Sequence, residues 1–137
     1  MSGLSDYAIN KVLNHLFTGT ASTAPTGLKV HLYNGDPHGA GTEVSAVVDD
    51  TAYASQSITF ESEGTTTNNR SYNTNTITFG AVVYGSGAAA YSVTHAAIKD
   101  GSGNLLDAGP LPATITRNAG EPLVFNAAAI FVSLART

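Results

Sequence analysis

The sequence predicts an all-β fold: a jelly-roll-like antiparallel β-sandwich preceded by one N-terminal helix. Three observations carry this. Beyond the N-terminal segment the apolar spacing changes from a helical period to strict alternation. About eight short alternating runs then follow at near-regular intervals, each bounded by Gly, Pro, Asn or Asp. The chain has 137 residues, room for one domain with its own core. The division that follows is a helix or arm at 1–24 and a sandwich at 25–137. An immunoglobulin-like sandwich is the other topology the pattern allows.

Each element has its own signal. Ser5 and Asp6 suit a helix N-terminus, because their oxygens accept bonds from free backbone N–H groups. Ile9, Leu13, Leu16 and Phe17 then share one helical face with Val12 beside them, and Gly19 suits the stop. Such a helix either caps one end of the sandwich or docks on a neighbouring subunit. Leu28, Val30 and Leu32 alternate with Lys29, His31 and Tyr33, as in a half-buried strand. Further strands are expected at 54–60, 71–79, 91–98, 105–106, 114–116, 123–125 and 128–134. In 91–98, Tyr91, Val93 and His95 are expected on one face, Ala96 and Ile98 on the other. Asn34-Gly35-Asp36-Pro37, Asp100-Gly101-Ser102-Gly103-Asn104 and Asn118-Ala119-Gly120-Glu121-Pro122 read as turns. Gly85-Ser86-Gly87 reads as a flexible connector. The long segments 34–53 and 61–70 exceed what a minimal sandwich needs, and such loops serve function when they are ordered.

Composition narrows the function classes. Charged residues make up 12% and the formal net charge is −4. Six Lys and Arg, scattered along the chain, do not form the cluster that phosphate neutralisation requires, so no nucleic-acid partner is expected. No apolar run approaches the ~20 residues of a membrane span, so no membrane partner is expected either. With no cysteine, there is no disulfide framework and no thiol chemistry. Met1-Ser2-Gly3-Leu4 lacks the basic and apolar regions of a signal peptide, which predicts synthesis in the cytoplasm of the host. A surface this poor in charge suits one that neighbours cover.

A search for chemistry comes back empty. His15, His31, His38 and His95 show no metal-ligand spacing, and Asp36 with His38 reads as a solvated turn. No Gly-x-Ser-x-Gly elbow and no phosphate-cradling glycine run occurs. Asp49-Asp50 and the Glu61/Glu63 pair are the close carboxylates, and both read as solvated charge. No catalytic, cofactor-binding or metal-binding residue is therefore expected. The expected contact surface comprises the N-terminal segment, the 34–53 loop and the 61–75 segment. Its residues are Leu4, Tyr7, Tyr33, Asp36, Pro37, Val44, Tyr53, Arg70, Tyr72 and Tyr84, with tyrosine prominent because it joins apolar area to a polar tip.

The order of these features resembles a known group. The Leu4-Ser5-Asp6-Tyr7 helix start leads to Leu28-Lys29-Val30-His31-Leu32-Tyr33 and then to Asn34-Gly35-Asp36-Pro37. Next come Gly41-Thr42-Glu43-Val44-Ser45, the run Tyr53 to Phe60, Val93-Thr94-His95-Ala96-Ala97-Ile98 and Asn104-Leu105-Leu106. Together they resemble small virion proteins of tailed bacteriophages, of the capsid cement or decoration kind and of the tail-fibre-like kind. Ser55, where an Arg is common in the group, and the Asn-rich stretch 68–75 depart from the pattern. The resemblance implies a non-enzymatic structural protein on the outside of the capsid. It implies two partners: the major capsid protein, and further copies of the chain as a homodimer or homotrimer. A tail-associated or host-glycan-binding adsorption protein is the alternative that the resemblance leaves open.

Overall fold

The structure, a computed structural model, describes residues 3–62 and 70–134. In chain order its elements are β1 (Gly3–Leu4), α1 (Asp6–Phe17), β2 (Lys29–Asn34), β3 (Thr42–Glu43), β4 (Gln56–Ser57) and β5 (Phe60–Ser62), followed by β6 (Arg70–Asn73), β7 (Ile77–Phe79), β8 (Tyr91–Lys99), β9 (Leu105–Arg117), β10 (Leu123–Phe125) and β11 (Phe131–Ser133). The larger sheet runs β1-β9-β8-β2-β3, with β4 also paired to β2. Two small ladders, β10-β7 and β11-β6-β5, complete the strand pairing, and every ladder is antiparallel. The all-β sandwich with one N-terminal helix is thus the fold that forms.

Alternation along β2 sets the layering. Val30 and Leu32 point inward and join Val93, Ala96 and Ile98 of β8. The small ladders close over them with Ile77 and Phe79, and Ile58 and Ile130 fill the space between. Phe79 stacks on Tyr53 at 6.1 Å and meets the edge of Phe125 at 6.3 Å. Each such fully buried aliphatic or aromatic side chain contributes ~2 kcal/mol by leaving water. On the opposite face of the larger sheet, Tyr33, Ala97, Ala108 and Leu105 form a second, smaller cluster.

Several strands differ from the sequence expectation, for local reasons. The single run at 54–60 splits: β4 pairs with β2 and β5 pairs with β6, so the chain changes ladder across Ile58 and Thr59. The run at 71–79 splits at Asn73. This buried side chain donates to the Asn75 and Asn126 carbonyls at 2.7 and 3.0 Å and accepts the Ile130 N–H at 2.8 Å. The strands at 105–106 and 114–116 merge into the 13-residue β9. Pro112 is tolerated because β9 bulges between the His95–Pro110 and Val93–Ile115 pairs, leaving 111–114 without a partner on β8, and β1 covers only Asp107 and Ala108 on the other side. A register shift between Val93 and His95 puts Val93, Ala96 and Ile98 all on the core side, where uniform alternation separates them.

One carboxylate closes the open edge of β2. β3 pairs with its C-terminal end and β4 with its N-terminal end, which leaves the Leu32 N–H between them without a strand partner. Tyr53 fills the gap: its hydroxyl accepts that N–H at 3.0 Å and donates to Glu43 Oε1 at 3.1 Å. Glu43 also accepts from His31 Nδ1 at 2.6 Å, Lys99 Nζ at 2.9 Å and the Tyr33 hydroxyl at 3.3 Å. Burial works to raise the Glu43 carboxyl, but the His31 and Lys99 hydrogen bonds more than offset it and hold it at about 2. Burial pushes the Tyr53 hydroxyl well above the usual phenol range, so it stays a donor.

A second carboxylate fixes the 34–53 loop. Asp50 is buried. Its Oδ1 accepts the N–H groups of Ala52 and Val83 at 2.9 and 3.0 Å, and its Oδ2 accepts the Tyr91 hydroxyl at 2.9 Å. The backbone follows: the N–H groups of Gly85, Ser86 and Gly87 donate to the carbonyls of Asp49, Val47 and Val48. Gly85-Ser86-Gly87 is therefore a packed strap and not a flexible connector. A Cβ on Gly85 would lie 2.2 Å from the Val47 carbonyl oxygen, so only glycine fits.

These contacts generate three predictions. The folded Glu43 carboxyl lies below its ordinary 4.5, so its stabilisation is present above that pH and is lost as pH falls from about 4.5 towards about 2. Glu43→Gln should cost about 1–2 kcal/mol at pH 7 after solvent screening, and should flatten that acid limb in urea titrations at stepped pH. Asp107 has the opposite sign. Its Oδ1 accepts the Gly3 N–H, its Oδ2 has no partner, and burial pushes it up to about 6. The charged form is therefore disfavoured in the folded state, and stability should rise as pH falls from above 6 towards 3.8. Asp107→Asn should raise the melting temperature at pH 7 and remove that rise. Gly85→Ala should cost about 1–3 kcal/mol in chemical denaturation, because the clash is with backbone.

Candidate interaction surface

The N-terminal helix is anchored at one end only. Ser5 is its N-cap, and the side chain accepts the Ala8 N–H at 3.1 Å. The Ser5 N–H donates to the Leu106 carbonyl at 2.8 Å, its hydroxyl bonds to the Leu105 carbonyl, and β1 pairs with β9 alongside. At the far end Gly19 takes the left-handed conformation, with φ of 68°, and the Thr18 and Thr20 N–H groups donate to the Asn14 carbonyl. Helix start and stop therefore lie where the sequence puts them.

The apolar stripe of that helix is not spent on the sandwich. Ala8 is the buried residue of α1. Ile9, Val12, Leu13, Leu16 and Phe17 are all exposed, Leu16 at 64% and Phe17 at 77%. Between the helix and the end of the sandwich runs an apolar groove of about 320 Å³, lined by Leu4, Ala8, Val12, Leu28, Phe60 and Val132 among others. Simple capping would have turned the stripe onto the sandwich. The anchoring at β9 turns it away.

The expected contact residues fall into three groups. Leu4 lines the groove, while Tyr7 and Pro37 share an adjoining open cleft with Ser5, His38 and Asn104. Asp36 sits beside that cleft in a tight turn, where its carboxylate accepts the His38 N–H at 2.9 Å and keeps the acid below its usual range. A second group lies on the β6-β11 ladder. The Arg70 guanidinium stands 5.5 Å from the Tyr72 ring and 5.2 Å from the Phe131 ring, and those two rings meet edge-on at 6.4 Å.

The third group is taken up, wholly or in part, within the chain. Val44 is a core residue, because its N–H bonds the Leu32 carbonyl and turns the side chain inward. Tyr33 is buried, with its hydroxyl on Glu43 and the Lys99 ammonium 5.1 Å from its ring. Tyr53 plugs the β2 edge from inside and stacks on Phe79. Tyr84 is half-buried and forms a bridge with Asp50. Of the expected 61–75 contact segment, residues 63–69 lie outside the described residues.

The sequence puts the N-terminal segment in the contact surface and leaves its stripe open between capping and docking, but it gives no sign of Glu43 as a structural hub. The stripe's residues were legible as one face, but spacing alone cannot tell a face turned to the core from one turned to solvent. Glu43 had no legible signal, since its four donors come from three separate stretches of chain.

Comparison with known families supplies the remaining finding. No curated protein matches the sequence. The profile of the family described as podophage GP4 fiber I protein gp80 matches residues 3–133, which takes in the helix, every strand and both fixed loops. The chain belongs to the podophage GP4 fiber I protein gp80 family, and so to the structural proteins of the tailed-phage virion.

Proposed function

We propose that this chain is a structural subunit of the fibre or tail apparatus of a podophage particle, a binding module with no catalytic role. The observation that supports it most directly is the match over residues 3–133 to a family described as a podophage fibre protein. The distribution of polar groups supports it as well. Glu43, Asp50 and Asn73, each with at least three side-chain hydrogen bonds, spend their capacity on holding strands and loops together. Large apolar side chains are also exposed at the surface: the α1 stripe, Val47 and Val48 with Val83, and Val124. Surfaces of that character take protein neighbours.

The rival is a cement protein clamped on the capsid exterior, with the major capsid protein as its partner. The groove and the helix stripe suit either neighbour. Gold-labelled antibody against the purified chain, imaged on intact particles, separates the two. Label at the tail or its fibres is the expected result. Label distributed over the head would overturn the fibre reading in favour of the capsid one. Incubation of the purified chain with host surface polysaccharide should leave the polymer's length unchanged, and shortening would overturn the non-enzymatic part of the proposal.

A further inference from the structure

One buried acid has no structural task that accounts for it. Asp107 is 2% exposed, and among the described residues its Oδ2 has no hydrogen-bond partner. Its Oδ1 accepts the Gly3 N–H at 3.2 Å. Asp50, buried to a similar degree, has donors on both oxygens. A buried polar atom left unpaired costs stability and calls for an explanation. Asp107 lines the apolar groove beside α1. Val12 of α1, Ile98 of β8, Leu106 of β9, Phe60 of β5 and Val132 of β11 are among its walls, and Lys11 and Ser71 are its other polar lining residues. The Lys11 ammonium lies over the Tyr7 ring, 5.5 Å from its centre. A water is a poor partner for Oδ2, since a buried water needs several polar neighbours and this wall is almost wholly apolar.

We propose that the groove is a binding site for a small amphiphilic amine, whose apolar body packs on the groove walls while its ammonium donates to Asp107 Oδ2. Charge selects the head. An unpartnered carboxylate oxygen takes a donor, and a cationic donor makes the stronger bond. Burial disfavours the Asp107 charge, and an ammonium beside it removes that cost. A fatty acid suits the walls but would set a second carboxylate into the groove that Asp107 lines, like charge against like. The walls select the body, because apolar side chains reward apolar area and nothing else. Size selects a small molecule over a protein side chain. The groove, at about 320 Å³, is on the scale of ligand sites and holds about twice the ~150 Å³ that takes benzene. A lysine side chain reaching in from a neighbour would leave much of it unfilled. Leu16 and Phe17 are not among the lining residues, so an amine in the groove is compatible with a protein neighbour on the outer end of α1. The site is a property of the chain itself and holds whether the protein is placed on the fibre or on the head.

Calorimetric titration of the full chain with octylamine at pH 7 tests this. Saturable binding of one octylamine per chain is expected, with octanol and octanoate each at least about ten-fold weaker. Asp107→Asn, expected above to be the more stable form, should weaken octylamine by at least about ten-fold and leave octanol little changed. Lys11→Gln should bind octylamine as tightly or more tightly, because it takes a like charge out of the groove. N-acetyl-lysine amide, the probe for a lysine on a neighbouring protein, should bind at least about ten-fold more weakly than octylamine. Amide shifts in NMR spectra give the location without any variant: on adding octylamine, Gly3, Leu106 and Asp107 should move more than Leu16 and Phe17. Absence of saturable octylamine binding sinks the proposal. So does an Asp107→Asn variant that keeps octylamine affinity within ten-fold, octanoate or the lysine amide binding as tightly as octylamine, loss of octylamine binding in Lys11→Gln, or shifts centred on Leu16 and Phe17.

Discussion

The Glu43 carboxylate is the interaction on which the larger sheet's edge depends. A strand edge left half-paired exposes N–H groups that water or another chain will claim. Here β3 and β4 cover β2 at its two ends, and a side chain covers the middle. The Tyr53 hydroxyl accepts the Leu32 N–H and donates its own hydrogen bond to Glu43. Glu43 in turn gathers His31, Tyr33 and Lys99, which stand on the outer face of β2 and β8. Four donors on one partly buried carboxylate explain why it stays ionised far below its usual range. They also explain why three tyrosine and histidine side chains that look available in sequence are committed in the fold.

The same economy operates at Asp50 and Asn73. Each is a short polar side chain, buried, that satisfies backbone groups from segments far apart in sequence. Buried polar groups are costly when unpaired and directive when fully paired. Asp50 converts the 34–53 loop and the 80–88 strap into one unit. Asn73 separates β6 from β7 and seats Ile130 in the core. The 34–53 loop, expected to reach outward, is thereby folded back, while the α1 stripe stays exposed.

That division fits a virion subunit. A particle component must be rigid where it bears load and must keep apolar area for neighbours. The sandwich supplies the first through its saturated polar hubs and its aliphatic core. On the proposed reading α1 supplies the second, because its anchoring at Ser5 fixes the base of the helix and its apolar stripe is exposed. Membership of a podophage fibre family agrees with that division of labour, and the capsid-facing alternative would draw on the same surface.

Much of the architecture was legible from residues alone. The period-2 runs located β2, β8, β10 and the closing strand, because alternation reports which side of a strand is buried. Ser5 and Gly19 located the helix ends, because capping is a local matter of a few backbone groups. What stayed hidden was everything set by contacts distant in sequence. The bulge at Thr94 rephases β8, two prolines are absorbed into β9, and Val44 goes inward while Ile9 to Phe17 go outward. Spacing determined that α1 has an apolar face. Only the tertiary structure decided that this face looks away from the core, since its direction is set by where Ser5 and β1 meet β9, about a hundred residues along the chain.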